Sequence, residues 1–215
     1  PKWLLDNRHE RELFEENLKE NGYGWASHRL HKINSLRELK EVKVGGQDIE
    51  AYVVNFLDLL SHLRQDIDAL KELAASGEAF IRWSAFVLDE ANIMEKFTTL
   101  TEKGYVVFLT SDHGWVEADT PVIIHGGGEL TRGLRYKFGD SVRPGGRGAI
   151  LIHDLEAYGL PRIKGKGRLA LAINYSFFVY PSDPHRFEKV YSGGIYHGGI
   201  SLEEMIIPLI KMESA

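Results

Sequence analysis

Three short groups of residues in this 215-residue chain carry side chains that could do chemistry. Asp58 and His62 are four apart and directly follow the apolar run of residues 51–56. On the first turn of a helix, positions i and i+4 share a face, so both can contact one cation. Asp112 and His113 close a second apolar run, Val106-Val107-Phe108-Leu109, and Gly114 lets the backbone turn sharply beneath them. His197 stands in Tyr196-His197-Gly198-Gly199, where two glycines let the backbone approach a site closely. Two carboxylates and three imidazoles are too many for one four-coordinate zinc and suit two metal ions ~4 Å apart. The alternative is coincidence, which nine histidines supply readily.

The elements that must position these groups follow from pattern. The 106–111 run is rich in β-branched and aromatic residues and reads as a fully buried strand of a parallel sheet. Open α/β sheets place ligands at the carboxyl ends of such strands. If residues 51–56 form a second strand of that sheet, Asp58, His62, Asp112, His113 and His197 are expected to converge on one edge. Helical spacing predicts helices over 9–21, closed by Gly22, over 66–75, closed by Gly77, and over 79–103, stopped at Gly104. The stretch from 22 to 43 reads as loop plus short helix, with His28 and His31 as surface residues. Strands are expected over 149–153 and 169–180, a glycine-rich turn over 191–199, and a short helix from Ser201, with Glu204 completing a capping box. His125-Gly126-Gly127-Gly128 has the look of a lipase oxyanion loop, but no G-x-S-x-G elbow accompanies it. Alternating strands and helices through residue 113 imply an α/β fold, with more strand and loop afterwards.

Composition narrows the chemistry. The chain is 43% hydrophobic and 27% charged, with net charge −5. That balance gives no reason to expect binding to duplex DNA or an acidic membrane. A small anionic substrate would need local compensation by metal ions or arginines. There is no cysteine, so any transition metal must use histidine and carboxylate. No apolar run approaches the ~20 residues of a membrane span. The chain opens on Pro1 and not Met, so its natural start is expected upstream.

The set Asp58-x-x-x-His62, Thr110-Ser111-Asp112-His113-Gly114 and His197-Gly-Gly-Ile-Ser-Leu-Glu-Glu204-Met-Ile-Ile-Pro208 resembles the alkaline phosphatase superfamily, and its last segment the PglZ domain family. Leu134-Arg135-Tyr136-Lys137 fits that family too. Trp3 to Glu16, with Asp6 and His9-Glu10, is similar to the PorX-type version joined to a response-regulator receiver. The resemblance implies an alkaline phosphatase-like α/β/α sandwich with a mainly parallel central sheet. Residues 1–215 would form the C-terminal part of one such domain, its N-terminal part missing.

By the family pattern, Asp58, His62 and His197 would hold one zinc, and Asp112 and His113 would help hold a second; manganese is the next candidate. A further aspartate and a Thr or Ser nucleophile would lie upstream of Pro1. The implied chemistry is in-line attack by that hydroxyl on phosphorus, with a phospho-enzyme intermediate then hydrolysed. Arg135 and Lys137 are expected to hold a non-bridging oxygen or a second phosphate. The implied protein is a cytoplasmic signalling phosphodiesterase acting on phosphodiester or cyclic oligonucleotide substrates, with a regulatory domain upstream. The isolated chain would then be nearly inactive. A phosphomonoesterase or phosphate-ester mutase, and a non-catalytic module that keeps its metal site, remain the alternatives.

Overall fold

The structure, a computed structural model, describes residues 9–59, 76–126, 133–160 and 167–214. His62, Asp6 and the helix expected over 66–75 lie outside them. The chain divides into two compact units.

The first unit comprises Pro1–Leu63, Ile81–Phe108 and Ile210–Ala215. Helix α1 (Glu10–Glu20) ends as its sequence predicts. Gly22 takes φ +82°, its N–H donates to the Lys19 carbonyl at 3.1 Å, and the Tyr23 N–H donates to the Leu18 carbonyl at 2.8 Å. This double closure satisfies carbonyls that the helix leaves open and needs a residue at ease with positive φ. Strand β1 (His28–Ile33), helix α2 (Leu36–Glu41) and strand β2 (Ile49–Val54) follow. Ile33, Leu39 and Ala91 form the buried centre, with Leu36, Tyr52, Val54 and Leu88 packed around it.

Two expectations are corrected here. The stretch from 22 to 43 contains strand β1, which pairs in parallel with β2 from His28↔Ile49 to Ile33↔Val54. Its sequence HRLHKI has no apolar alternation because only Ile33 is buried. The helix expected over 79–103 is two, α3 (Gly77–Glu90) and α4 (Ile93–Glu102). Between them Asn92 adopts φ 52°, ψ 43°. That left-handed conformation breaks the helical ladder, and asparagine tolerates it better than most residues.

The second unit comprises Arg64–Phe80 and Leu109–Leu209. Its strands are β4 (Val116–Ala118), β5 (Thr120–His125), β6 (Tyr136–Gly139), β7 (Arg143–Pro144), β8 (Ala149–Ile152), β9 (Arg168–Ala172), β10 (Ser176–Val179) and β11 (Gly194–Tyr196). Helix α5 (Pro184–Tyr191) precedes β11, and the one-turn helix α6 (Leu202–Met205) follows it. The described strands form small sheets: β10-β5-β7, β6-β9-β8, β11-β4 and, in the first unit, β1-β2. Strand β3 (Val107–Thr110) pairs with β12 (Leu209–Met212). β5 and β10 run parallel; β4–β11, β5–β7, β6–β9 and β8–β9 run antiparallel. The fold is therefore mixed α/β. One mainly parallel sheet is not seen among the described residues, and β2 and β3 belong to different sheets.

Strand β10 is the centre of this unit. All four of its residues are buried. Phe178 packs with Val122, Ile124, Ala170 and Ala172 on one face, and Phe177 and Val179 with Ala118 and Tyr196 on the other. This is the period-two alternation of a strand covered on both sides. The single strand expected over 169–180 is thus β9 and β10 in two sheets, separated at Asn174, whose φ is 49°. β3, expected to be fully buried, is not: Phe108 is 62% exposed and Leu109 41%. Apolar composition marks a strand built to be covered, and β3 has one hydrogen-bonded neighbour among the described residues.

Candidate metal centre

The loop after β3 is pinned at both ends. The Thr110 hydroxyl donates to the Pro208 carbonyl at 2.8 Å. Beyond the loop, the Trp115 ring meets Phe80 edge-on, with centroids 5.9 Å apart. Between these anchors lie Asp112 and His113. Asp112 is highly exposed, and its Oδ1 accepts the His113 backbone N–H at 3.1 Å. The same oxygen lies 3.8 Å from His113 Nε2.

His113 Nδ1 sits 2.9 Å from the Gly114 carbonyl oxygen. A carbonyl only accepts, so Nδ1 donates, and in the neutral ring the lone pair is then on Nε2. His197 follows β11 directly. Its ring stacks on that of His113 with centroids 3.9 Å apart and planes 8° from parallel. Ring nitrogens of the two histidines come within 4.8 Å of each other. The structure therefore brings His113 and His197 together inside one unit, with Asp112 beside His113. Asp58 is exposed on the helical residues 56–59 after β2, in the other unit. His62 lies outside the described residues.

The donor set fits a transition metal. The neutral His113 ring offers Nε2 as a ligand atom and is oriented through Nδ1 by a backbone carbonyl, the usual outer-shell support of a ligating imidazole. Two ligands of one zinc, each ~2.1 Å from the ion, can span up to ~4.2 Å, and the 3.8 Å between Asp112 Oδ1 and His113 Nε2 falls inside that span.

The glycines beside the histidines have specific work. A Cβ on Gly114 would lie 1.9 Å from the Glu203 carbonyl oxygen, and the Gly114 N–H donates to the Glu204 carbonyl at 2.9 Å. Gly198 has φ +98°, and a Cβ there would meet the Tyr136 ring at 2.8 Å; one on Gly199 would meet Arg135 Nη2 at 2.6 Å. The close approach expected of Gly198 and Gly199 is thus made to Arg135 and Tyr136. Gly114→Ala should force the 112–114 loop off α6 and cost about 1–3 kcal/mol, the usual price of overpacking. Urea unfolding measures it; a stability equal to wild type would show that the loop is not docked as described.

Arg135 and Lys137, expected to hold phosphate oxygens, are 0% and 1% exposed. Their partners are internal. The Arg135 guanidinium donates to Glu204 through Nε to Oε1 at 3.0 Å and through Nη2 to Oε2 at 2.5 Å, while Nη1 donates to the Ser176 carbonyl. Lys137 Nζ donates to the Tyr180 hydroxyl at 3.0 Å and lies 4.8 Å from the centre of that ring. Glu204 does complete the capping box of α6 with Ser201, as its spacing predicts. Its pairing with Arg135 is not visible in the chain order. The available signal is a glutamate flanked by Met-Ile-Ile and an arginine inside the half-apolar run 134–138, two charges in segments that read as core.

Residues 6–212 match a model of alkaline phosphatase-like domains, a superfamily of phosphoesterase type. The family is PglZ, described as the BREX system PglZ alkaline phosphatase-like domain, and the chain belongs to it. No match was found among curated proteins. No helix of the described residues is long and apolar enough to cross a membrane.

Proposed function

We propose that this chain is the metal-binding part of a zinc-dependent phosphodiesterase acting on phosphodiester or cyclic oligonucleotide substrates in a cytoplasmic signalling protein. The stacked His113–His197 pair with Asp112 against it carries this reading. Ring centroids 3.9 Å apart suit ligands of two ions held ~3.5–4 Å from each other. Asp112 and His113 would hold one ion, and His197 would help hold the other. Bound zinc would supply Lewis-acid charge to the phosphate oxygens. The chain's own residues orient the ligands: the Gly114 carbonyl fixes the His113 tautomer, and the Asp112 carboxylate is held beside its Nε2. A Thr or Ser hydroxyl upstream of Pro1 would attack phosphorus, and the mainly parallel sandwich of the family would be completed by the same upstream segment.

The test compares this chain with one extended upstream, each purified, analysed for zinc and assayed on a nitrophenyl phosphodiester, a nitrophenyl monoester and short RNA. About two zinc ions per extended chain are expected, with diester turnover that a chelator abolishes and zinc restores. Turnover confined to the monoester would move the protein to the phosphomonoesterases. A zinc-loaded extended chain inactive on all three substrates would sink the catalytic assignment and leave a metal-bearing module.

A further inference from the structure

We infer that the buried Arg135–Glu204 ion pair is a positioning device that holds the His113 loop and the His197 loop in register with each other. Glu204 touches both loops at once. Its carboxylate accepts the Gly199 N–H at 2.8 Å, two residues beyond His197, and its backbone carbonyl accepts the Gly114 N–H at 2.9 Å, one residue beyond His113. The carboxylate also accepts from Ser201, through N at 3.0 Å and Oγ at 2.7 Å. Arg135 fixes the plane of that carboxylate with two donors of one fork, a geometry that sets orientation as well as distance. The third arm of the guanidinium reaches the Ser176 carbonyl on β10, the strand buried on both faces. Contacts thus run from the most buried strand through Arg135 and Glu204 to both histidine loops.

A cap alone does not account for this arrangement. Helix α6 has four residues, and a capping box needs only Ser201 and a neutral or charged acceptor at Glu204. The added guanidinium, the 0% and 3% exposure of the two residues and the bond to Gly199 lie outside any cap. The close approaches of Gly114 to Glu203 and of Gly199 to Arg135 leave little room for either loop to slide.

The positioning role rests on the proposed function only in treating His113 and His197 as ligands, and its test separates the two. Arg135→Met combined with Glu204→Gln removes both charges together. In the full chain, amide exchange at Val122 and Phe178 reports whether the core persists; Gly114 and Gly199 amide exchange and the ring-current shifts of His113 and His197 report the loops. The double variant should keep core protection, lose protection at both glycines, lose the stacked-ring shifts and bind zinc about 10–100-fold more weakly. If it does not fold, Arg135→Lys carries the test: it keeps the charge, loses the fork, and should move the same signals in the same direction. A folded variant with unchanged ring shifts and glycine protection would overturn the inference. A wild-type chain that takes up no zinc would sink the functional proposal, while the ring and amide signals still decide this one.

Discussion

Glu204→Ala should cost the second unit about 3–5 kcal/mol, because it leaves the Arg135 guanidinium buried and without its counter-ion. Arg135 is wholly buried and has two of its three guanidinium nitrogens on that carboxylate. A typical domain has only about 5–15 kcal/mol of stability in total, so the variant should melt far below wild type. Removing both charges with Arg135→Met and Glu204→Gln should cost much less, since neither replacement requires an ion to be desolvated. A Glu204→Ala chain within about 1 kcal/mol of wild type in urea would mean that the arginine finds water. Acid gives a second readout. Burial raises the Glu204 pKa, but Arg135, Ser201 and the Gly199 amide together outweigh it and hold the group below the ordinary glutamate value of 4.5. A depressed folded pKa contributes stability that is present above 4.5 and lost as the pH falls from there through the folded value. The double variant should show a shallower loss of stability over that acid range.

The second large effect is on turnover. In a chain extended upstream, His113→Ala and His197→Ala should each lower phosphodiester hydrolysis by orders of magnitude, because loss of a metal ligand removes several kcal/mol of transition-state charge stabilisation. The two rings stack with centroids 3.9 Å apart, so each substitution also removes packing from the other and the losses should not add. Zinc content measured beside turnover separates the causes. Near wild-type turnover in either variant would show that the stacked pair is not the centre. Lost turnover with full zinc occupancy would place the defect in geometry and not in metal retention.

What could be read from the chain order was what is local. Asp112-His113-Gly114 and His197-Gly198-Gly199 carry their chemistry in residue type and neighbours, and the structure sets the two histidines face to face. Gly22 and Gly104 mark helix ends because each takes a positive φ there. Asn92 and Asn174, the described non-glycine residues with positive φ, were harder to see. One splits a helix and the other a strand inside runs whose apolar periodicity looks continuous, and asparagine signals such a break more weakly than glycine. β1 is not legible in the chain order because a half-exposed strand with polar side chains has no apolar alternation. Arg135 was the largest displacement of role. In a sequence a basic residue looks the same whether it faces a phosphate or a buried carboxylate, and its partner stands 69 positions away.

That separation bears on how the protein is made. Chains emerge from the ribosome amino end first, and domains form as their parts appear. When Arg135 leaves the tunnel, Glu204 has not been synthesised, and neither has the carbonyl that receives the Gly114 N–H. Until it appears, burying the guanidinium would leave it without its counter-ion, at the full cost of desolvation. A chain broken off before residue 204 lacks both the carboxylate that accepts the Gly199 N–H and the carbonyl that accepts the Gly114 N–H, so neither histidine loop has its anchor until that residue is in place.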